Sequence, residues 1–352
     1  MWYKALKGFI KAGIYAYHRT VEVHGLEHVP TTKPVLFLPN HQSALLDVLL
    51  VAIDCRRKPY FLTRSDVFGK PILNAFFNFL RMVPIYRIRD GRDSLHKNDA
   101  IFDTCAALLN RGEAIVMFPE ANHNIKRRVR PLSKGFTRVL FRALEENPKL
   151  DIQLVPVGLN YKHAEIFPDA VALYYGRPIS VLALYDKDDL QKSVGQIKKT
   201  VSQRLKELTT HIAPDHEYGA INAYLLQQGA DFLNPRATNA LVNEWRKTGT
   251  GPIAVKPEKA KRHFLYPLFH VLNLPVILLW KLVIKPRVWE PEFTGTLRFA
   301  TAMGGFLLYF GLIIAVLTWG LGLFWALAVV SGLFLFNWMF VKSGAVDPRN
   351  KK

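Results

Sequence analysis

Val35-Leu36-Phe37-Leu38-Pro39-Asn40-His41-Gln42-Ser43-Ala44-Leu45-Leu46-Asp47 runs apolar to a proline, crosses four polar residues, and resumes as an apolar helical pattern over Leu45–Ile53. A short apolar run that ends in turn residues and feeds a helix reads as a buried strand, a tight turn and a crossover. The same unit recurs outward along the chain. Tyr60–Leu62, Val83–Tyr86, Ala114–Phe118, Leu154–Gly158 and Val171–Tyr175 are further strand candidates, while Ser94–Leu109, Phe136–Leu144 and Leu190–Leu208 carry helical periodicity. Strands alternating with helices imply an α/β fold with a mostly parallel sheet flanked by helices, whose working loops lie at strand ends.

Three strand ends concentrate reactive side chains. The first is the turn after Val35–Leu38, where His41 precedes Asp47 by six positions. A carboxylate can hold an imidazole in the tautomer that accepts a proton. Six residues on one helix would separate the two side chains onto different faces, so His41 must sit off the helix, in the turn capped by Ser43. The second strand end is Val83-Pro84-Ile85-Tyr86-Arg87-Ile88-Arg89. The third is Phe118-Pro119-Glu120-Ala121-Asn122-His123-Asn124, followed by a basic stretch in which residues 121–138 hold six Lys or Arg and no acid. Guanidinium and ammonium groups converging at strand ends suit a phosphate. Each cluster taken singly is also what a solvated basic loop looks like.

Composition narrows the setting. The chain has 352 residues and 47 Lys+Arg against 28 Asp+Glu, a formal charge of +19. Such an excess serves nucleic acid or anionic lipid and phosphorylated substrates. The apolar distribution favours lipid: from Phe299 to Val341 there is no Asp, Glu, Lys, Arg or His, and one bilayer crossing takes only about 20 residues. Two spans joined at Trp319-Gly320-Leu321-Gly322 fit this length, with Arg298 before and Lys342 after. Basic flanks place both ends of such a hairpin on the cytoplasmic side. Phe264–Trp280 is shorter, holds Pro267, His270 and Pro275, and reads as a re-entrant or interfacial helix. At the other end, Leu6, Phe9, Ile10 and Tyr17 oppose Lys4, Lys7, Lys11 and His18, the pattern of a basic amphipathic helix lying in a membrane interface. Cys55 and Cys105 show no metal-ligand spacing. The organisation expected is therefore an interfacial helix over 1–20, an α/β domain over 21–212, a polar, partly helical extension over 213–262 and a membrane region over 263–352. No nucleic-acid role is expected.

The ordered set Asn40-His41-x-Ser43…Asp47, Val83-Pro84-Ile85-Tyr86-Arg87, Phe118-Pro119-Glu120 and Leu154-Val155-Pro156-Val157-Gly158 resembles the four blocks of the glycerolipid acyltransferase family, which includes 1-acylglycerol-3-phosphate and glycerol-3-phosphate acyltransferases. The resemblance spans Gly25 to Leu208. It implies that His41 is the general base, that Asp47 orients it, that Arg87, with Arg89 as substitute, holds the acceptor phosphate, that Glu120 helps position the acceptor, and that Pro156 lies on the acyl-donor side. It further implies an acyl thioester donor (acyl-CoA or acyl carrier protein), a phosphorylated glycerol or lysolipid acceptor, contact with membrane lipids, and no resident cofactor or metal.

Three departures stand out. Five residues separate His41 from Asp47 where four are commonest in the family, a form similar to the branch with fungal-type glycerol-3-phosphate and dihydroxyacetone-phosphate acyltransferases. The third block continues Ala121-Asn122-His123 instead of Gly-Thr-Arg, so His123 stands at the arginine position and Lys126, Arg127, Arg128 or Arg130 must supply charge. Glu290-Pro291-Glu292-Phe293 ahead of the apolar tail is similar to extended members of that branch. The function implied is acyl transfer, most directly to lysophosphatidate, with glycerol-3-phosphate or dihydroxyacetone phosphate as the alternative acceptor. A hydrolase using the same side chains, and a catalytically inactive binder of anionic lipid, are the readings from other classes. No G-x-S-x-G elbow or P-loop is present, which favours direct attack over an acyl-enzyme.

Overall fold

Val35 and Phe37 face one apolar core, Leu36 and Leu38 another, because successive side chains of a strand point to opposite faces. A strand buried on both faces must lie inside a sheet covered on both sides, and β2 (Val35–Pro39) does. The computed structural model describes residues 2–65, 68, 71–86, 97–213, 215–248 and 264–343.

The sheet has eight strands: β1 (Thr20–His24), β2, β3 (Tyr60–Arg64), β4 (Met82–Ile85), β5 (Ala114–Val116), β6 (Gln153–Tyr161), β7 (Ala170–Tyr175) and β8 (Ile179–Ser180). Their order is β1-β7-β6-β2-β5-β3-β4, with β8 also on β6. Strands β6, β2, β5, β3 and β4 run parallel to one another, whereas β7 and β8 run antiparallel to β6, and β1 pairs parallel with β7. The mostly parallel sheet read from the alternation is thus the one observed. β1 and β8, an exposed edge strand and a two-residue strand, were outside that reading.

One face of the sheet is covered by α4 (Lys97–Asn110), α5 (Gly135–Glu146) and α6 (Leu190–Leu208), whose Phe102, Phe136, Leu140 and Val201 share a core with Leu36 and Leu38. The other face carries α1 (Trp2–Tyr17) and α2 (Ala44–Asp54), with α3 (Pro71–Phe79) beyond β3. Residues 94–96 of the expected Ser94–Leu109 helix lie outside the described residues. Helices α7 (Tyr218–Gln227) and α8 (Pro235–Thr248) fold back on α6, where Asn239 donates to the carbonyls of Lys206 and Thr209. The Gly249–Pro252 linker lies outside the described residues.

The terminal elements come together. Helix α9 (Tyr266–Leu272) breaks at Asn273 and is followed by α10 (Leu274–Leu278), which continues as one helical rod to Arg287, bent by 85° from α9. Pro275 lacks the N–H needed to carry an α-helix through this point. Two long apolar helices follow, α11 (Phe293–Leu321) and α12 (Leu323–Lys342), separated by Gly322 at φ +84°. Both are long and apolar enough to cross a bilayer. The expected turn is where the sequence placed it, but α11 starts earlier, and Arg298 lies inside it rather than ahead of it. The two feet of the hairpin rest on the α/β domain: Thr296 bonds the first turn of α2, and Lys342 Nζ donates to the carbonyls of Tyr15, His18 and Arg19 at the end of α1, where a cation complements the helix dipole.

Two cations of the α1 basic stripe have partners that the sequence pattern does not name. Lys7 donates to the Cys55 carbonyl and Lys11 pairs with Asp54 at 2.7 Å, so these two cations contact the C-terminal end of α2. His18 is buried, bonds the Ile14 carbonyl, and is held down to about pKa 4 by that burial. It is a neutral packing residue at pH 7. Trp2 and Phe9 remain exposed.

Candidate active site

The turn from β2 into α2 is built around a buried carboxylate. Asp47 lies in the first turn of α2, and its Oδ2 accepts from the backbone N–H of Gln42 at 2.7 Å and of Ser43 at 2.8 Å. Reaching back this way satisfies donors that a helix N-terminus leaves open and places negative charge where the helix dipole favours it. The same Oδ2 lies 2.7 Å from His41 Nδ1, and Oδ1 accepts from the Tyr161 hydroxyl at 2.5 Å. Asp47 has no exposed surface. Since Oδ2 already receives two N–H groups it acts as an acceptor, which puts the proton on His41 Nδ1 and leaves Nε2 with its lone pair. Burial, followed by the adjacent carboxylate, raises the Tyr161 phenol well above its ordinary value, so it serves as a donor.

The loop after β5 closes over this turn. The His41 ring stacks on Phe118 with centroids 3.9 Å apart and meets His123 edge-on at 5.5 Å. Asn124 N donates to the His41 carbonyl at 3.0 Å. Glu120 is buried; Oε2 receives Arg130 Nη2 at 2.7 Å and the His41 N–H at 3.4 Å, and Oε1 receives the Arg130 N–H at 2.9 Å. Arg130 also donates to the side chain and carbonyl of Asn122. Glu120 therefore ties the His41 turn to the basic loop and has its oxygens engaged by the protein.

Two alanines here have positive φ, Ala44 at the first position of α2 (42°) and Ala121 in the loop after β5 (62°). L-residues pay roughly 1–2 kcal/mol there and glycine does not. This explains physically why glycine is usual at the position after Pro-Glu in the third block. Ala121→Gly should accordingly raise the thermal midpoint with activity retained; a lowered midpoint would show that the alanine methyl contributes more by packing than the backbone gains.

A third wall comes from the C-terminal region. His123 Nε2 lies 2.7 Å from Glu290 Oε2, Glu292 Oε1 accepts from the Ile125 N–H at 3.1 Å, and Phe293 stands edge-on to His123 at 4.9 Å. Thr296 Oγ1 accepts from Leu46 N and donates to the Ser43 carbonyl, both at 3.0 Å. Gly295 is required by this approach, since a Cβ there would lie 2.8 Å from Ser43 Oγ. Among the described residues, His123, Glu290 and Glu292 form the group whose ligand atoms, within 4.8 Å of one another, have the spacing to hold a metal ion; hydrogen bonds close the same group as a latch.

The structure thus brings His41, Asp47, Glu120 and His123 together and directs the other basic candidates elsewhere. Arg127 is half-buried, donates to the Lys162 carbonyl at 2.7 Å, lies over the Phe232 ring at 3.7 Å, and is lowered in pKa by desolvation. Lys126 and Arg128 both pair with Asp215. These three residues join the basic loop to the α7–α8 extension. Arg87 and Arg89 lie outside the described residues. Pro156 is a buried position of β6 in register with Leu38. Tyr161, Glu290, Glu292 and Thr296 were missed as site residues. The Glu290–Phe293 motif is visible in the sequence, but its distance of 167 residues from His123 hides the contact.

Residues 20–160, which contain all four blocks, match the family model described as Acyltransferase. An uncharacterised acyltransferase of Schizosaccharomyces pombe is 26% identical over 121 residues, 33% of this chain and 18% of that protein. Glycerol-3-phosphate O-acyltransferase 2 of Saccharomyces cerevisiae is 27% identical over 135 residues, 38% of this chain and 18% of that protein. The chain therefore spans under a fifth of the length of these curated relatives. Among solved structures, the 1-acyl-sn-glycerophosphate (LPA) acyltransferase PlsC of Thermotoga maritima overlaps 58% of this chain and 79% of its own at 20% identity, with a TM-score of 0.42. Residues 20–160 thus form an acyltransferase domain, and on its ordered blocks this part of the chain is similar to glycerolipid acyltransferases.

Proposed function

We propose that the protein transfers a fatty acyl group from an acyl thioester to a hydroxyl of a phosphorylated glycerol acceptor, lysophosphatidate giving phosphatidate. His41 Nε2 removes the hydroxyl proton, the oxygen attacks the thioester carbonyl, the C–S bond breaks, and the thiolate takes the proton back from His41. Asp47 fixes the imidazole and stabilises the imidazolium between those steps. The observation that carries the reading is the 2.7 Å His41–Asp47 contact, with Oδ2 held as an acceptor by two backbone N–H groups. Donor and acceptor meet where the hairpin is rooted, which suits lipid substrates.

The test is purified protein in vesicles with acyl-CoA or acyl carrier protein thioesters and a panel of acceptors, followed by mass spectrometry. Phosphatidate from lysophosphatidate supports the reading. Lysophosphatidate from glycerol-3-phosphate supports the second reading, which the names of the yeast relatives favour. Free fatty acid released equally without acceptor would make the protein a hydrolase.

For the acceptor phosphate, Arg87 is the proposed partner, with Arg89 as substitute, because the other basic candidates are engaged by the protein. Arg87→Ala should raise the acceptor KM at least tenfold more than the donor KM, since one charge-assisted contact to phosphate is lost. Equal effects on both substrates would make Arg87 structural.

The catalytic domain is proposed to face the cytoplasm. Both feet of the hairpin contact the α/β domain, so they share its side of the bilayer, and their basic flanks favour the cytoplasmic side. A reporter fused after Lys352 should read cytoplasmic and one inserted at Gly320 the opposite side. A cytoplasmic reading at Gly320 would make the hairpin re-entrant.

A further inference from the structure

Between α1, α9, α11 and α12 lies a chamber of about 300 Å³, at the lower end of the roughly 300–1,000 Å³ of small-molecule sites. Its lining is mostly apolar; the side chains there with polar groups are Asn337, whose amide is spent in a reciprocal pair with Asn273 at 2.7 and 2.8 Å, Tyr17, whose hydroxyl bonds Arg298, and Trp338 with its indole N–H. An occupant therefore meets chiefly aromatic and aliphatic side chains along its length, which suits a hydrocarbon chain. Rim and floor differ in exposure. Leu307 and Phe334 on the rim are 58% and 52% exposed, whereas Tyr17 and Phe299 on the floor are 8% and 5% exposed. The rim belongs to helices of membrane-spanning length and composition, so the chamber opens sideways toward lipid and closes toward the α/β domain.

One face of α11 joins this chamber to the His41 turn. Phe293 meets His123, Thr296 bonds Ser43, Phe299 packs on Tyr17, and Met303, Phe306 and Phe310 line the chamber. From Phe293 to Phe310 the helix rises about 25 Å. Thr296 and Phe299 are themselves buried, so the chamber floor at Phe299 lies one helical turn, about 5 Å along the axis, from the Thr296–Ser43 contact, and one helix holds both the His41 turn and the chamber.

We propose that the chamber is the seat of the acyl chain already carried by the acceptor, so that the acceptor is a single-chain lysolipid drawn laterally from the bilayer. The proposal rests on the transferase reading above and adds the site that selects the acceptor. The acceptor's chain, not the donor's, is assigned here because the opening is toward lipid, where a lysolipid chain already resides, while a thioester on a large polar carrier approaches from water.

Photolabelling tests this on the full chain in phosphatidylcholine vesicles. Three probes carry a diazirine in the acyl chain: lysophosphatidate, acyl-CoA and phosphatidylcholine. The lysophosphatidate probe should label peptides covering 299–310 and 334–341, and unlabelled long-chain lysophosphatidate should compete while acyl-CoA and glycerol-3-phosphate do not. Competition by acyl-CoA would assign the chamber to the donor. Equal, uncompeted labelling by the phosphatidylcholine probe would reduce it to a contact with bulk lipid. Either result overturns the proposal. In kinetics, Ala302→Phe should raise the KM for long-chain lysophosphatidate about tenfold and leave the acyl-CoA KM unchanged. Phe306→Ala, which enlarges the chamber, should move the preferred acceptor chain to greater length; an unmoved preference overturns the proposal even if Ala302→Phe fails to fold. Competed labelling without turnover on any acceptor would keep the chamber as a lysolipid site and overturn the transferase reading alone.

Discussion

His41→Ala lowers kcat/KM for acyl transfer by roughly 10²–10⁴, with the thermal midpoint and the binding of both substrates close to those of the parent protein. The structure gives reasons for both halves of this expectation. The backbone of His41, not its side chain, carries the links to Glu120 and Asn124, so alanine leaves the two loops joined. What disappears is the ring stacked on Phe118, the Nε2 lone pair and the Nδ1 bond to Asp47, whose carboxylate keeps the Gln42, Ser43 and Tyr161 donors. Single-turnover acyl transfer beside a thermal scan makes the measurement. Wild-type turnover in a folded His41→Ala protein would remove the general-base mechanism, and a collapsed midpoint would show that the ring stack is structural.

Asp47→Asn should lose a comparable factor in kcat with little change in KM. The amide has one orientation the site accepts. Turned with its carbonyl oxygen at the Oδ2 position, it still receives the Gln42 and Ser43 N–H groups and His41 Nδ1, while its NH₂ meets the Tyr161 hydroxyl, which can accept as well as donate. The opposite orientation would aim an NH₂ at two backbone donors. The fold and the His41 tautomer therefore survive, and the negative charge that stabilises the imidazolium does not. Full activity in this variant would mean that Asp47 only caps α2. A loss through KM alone would mean that it shapes the acceptor site and leaves the chemistry untouched.

The attachment of the membrane hairpin gives both results a structural frame. Glu290, Glu292, Phe293 and Thr296 contact the loops that carry His41 and His123, and Lys342 grips the end of α1. Motion of the hairpin feet would thus be felt directly at the His41 turn.

Local physics determined most of the architecture. Runs such as Val35–Leu38 and Leu154–Gly158 can be buried only as interior strands, the periodicity of Leu190–Leu208 matches the observed helix at both ends, and the charge-free stretch Phe299–Val341 leaves little but bilayer-length helices. The His41–Asp47 pair was equally legible, because a turn and one helical turn separate its members.

What only the tertiary structure decided are contacts between distant segments and the choice among equivalent cations. Tyr161 reaches Asp47 across 114 residues, and Glu290 reaches His123 across 167. Neither residue differs locally from a strand tyrosine or a surface glutamate. Lys126, Arg127, Arg128 and Arg130 read alike along the chain, yet the first and third pair with Asp215, the second donates to the Lys162 carbonyl, and the fourth joins Glu120. In the basic stripe of α1, Lys7 and Lys11 found the Cys55 carbonyl and Asp54 at the end of α2, partners more than 40 residues away in sequence. Periodicity follows from which face of an element is apolar, a property of neighbours in sequence; the partner of a charge depends on which segments the sheet brings side by side, and that is set only when the chain has folded.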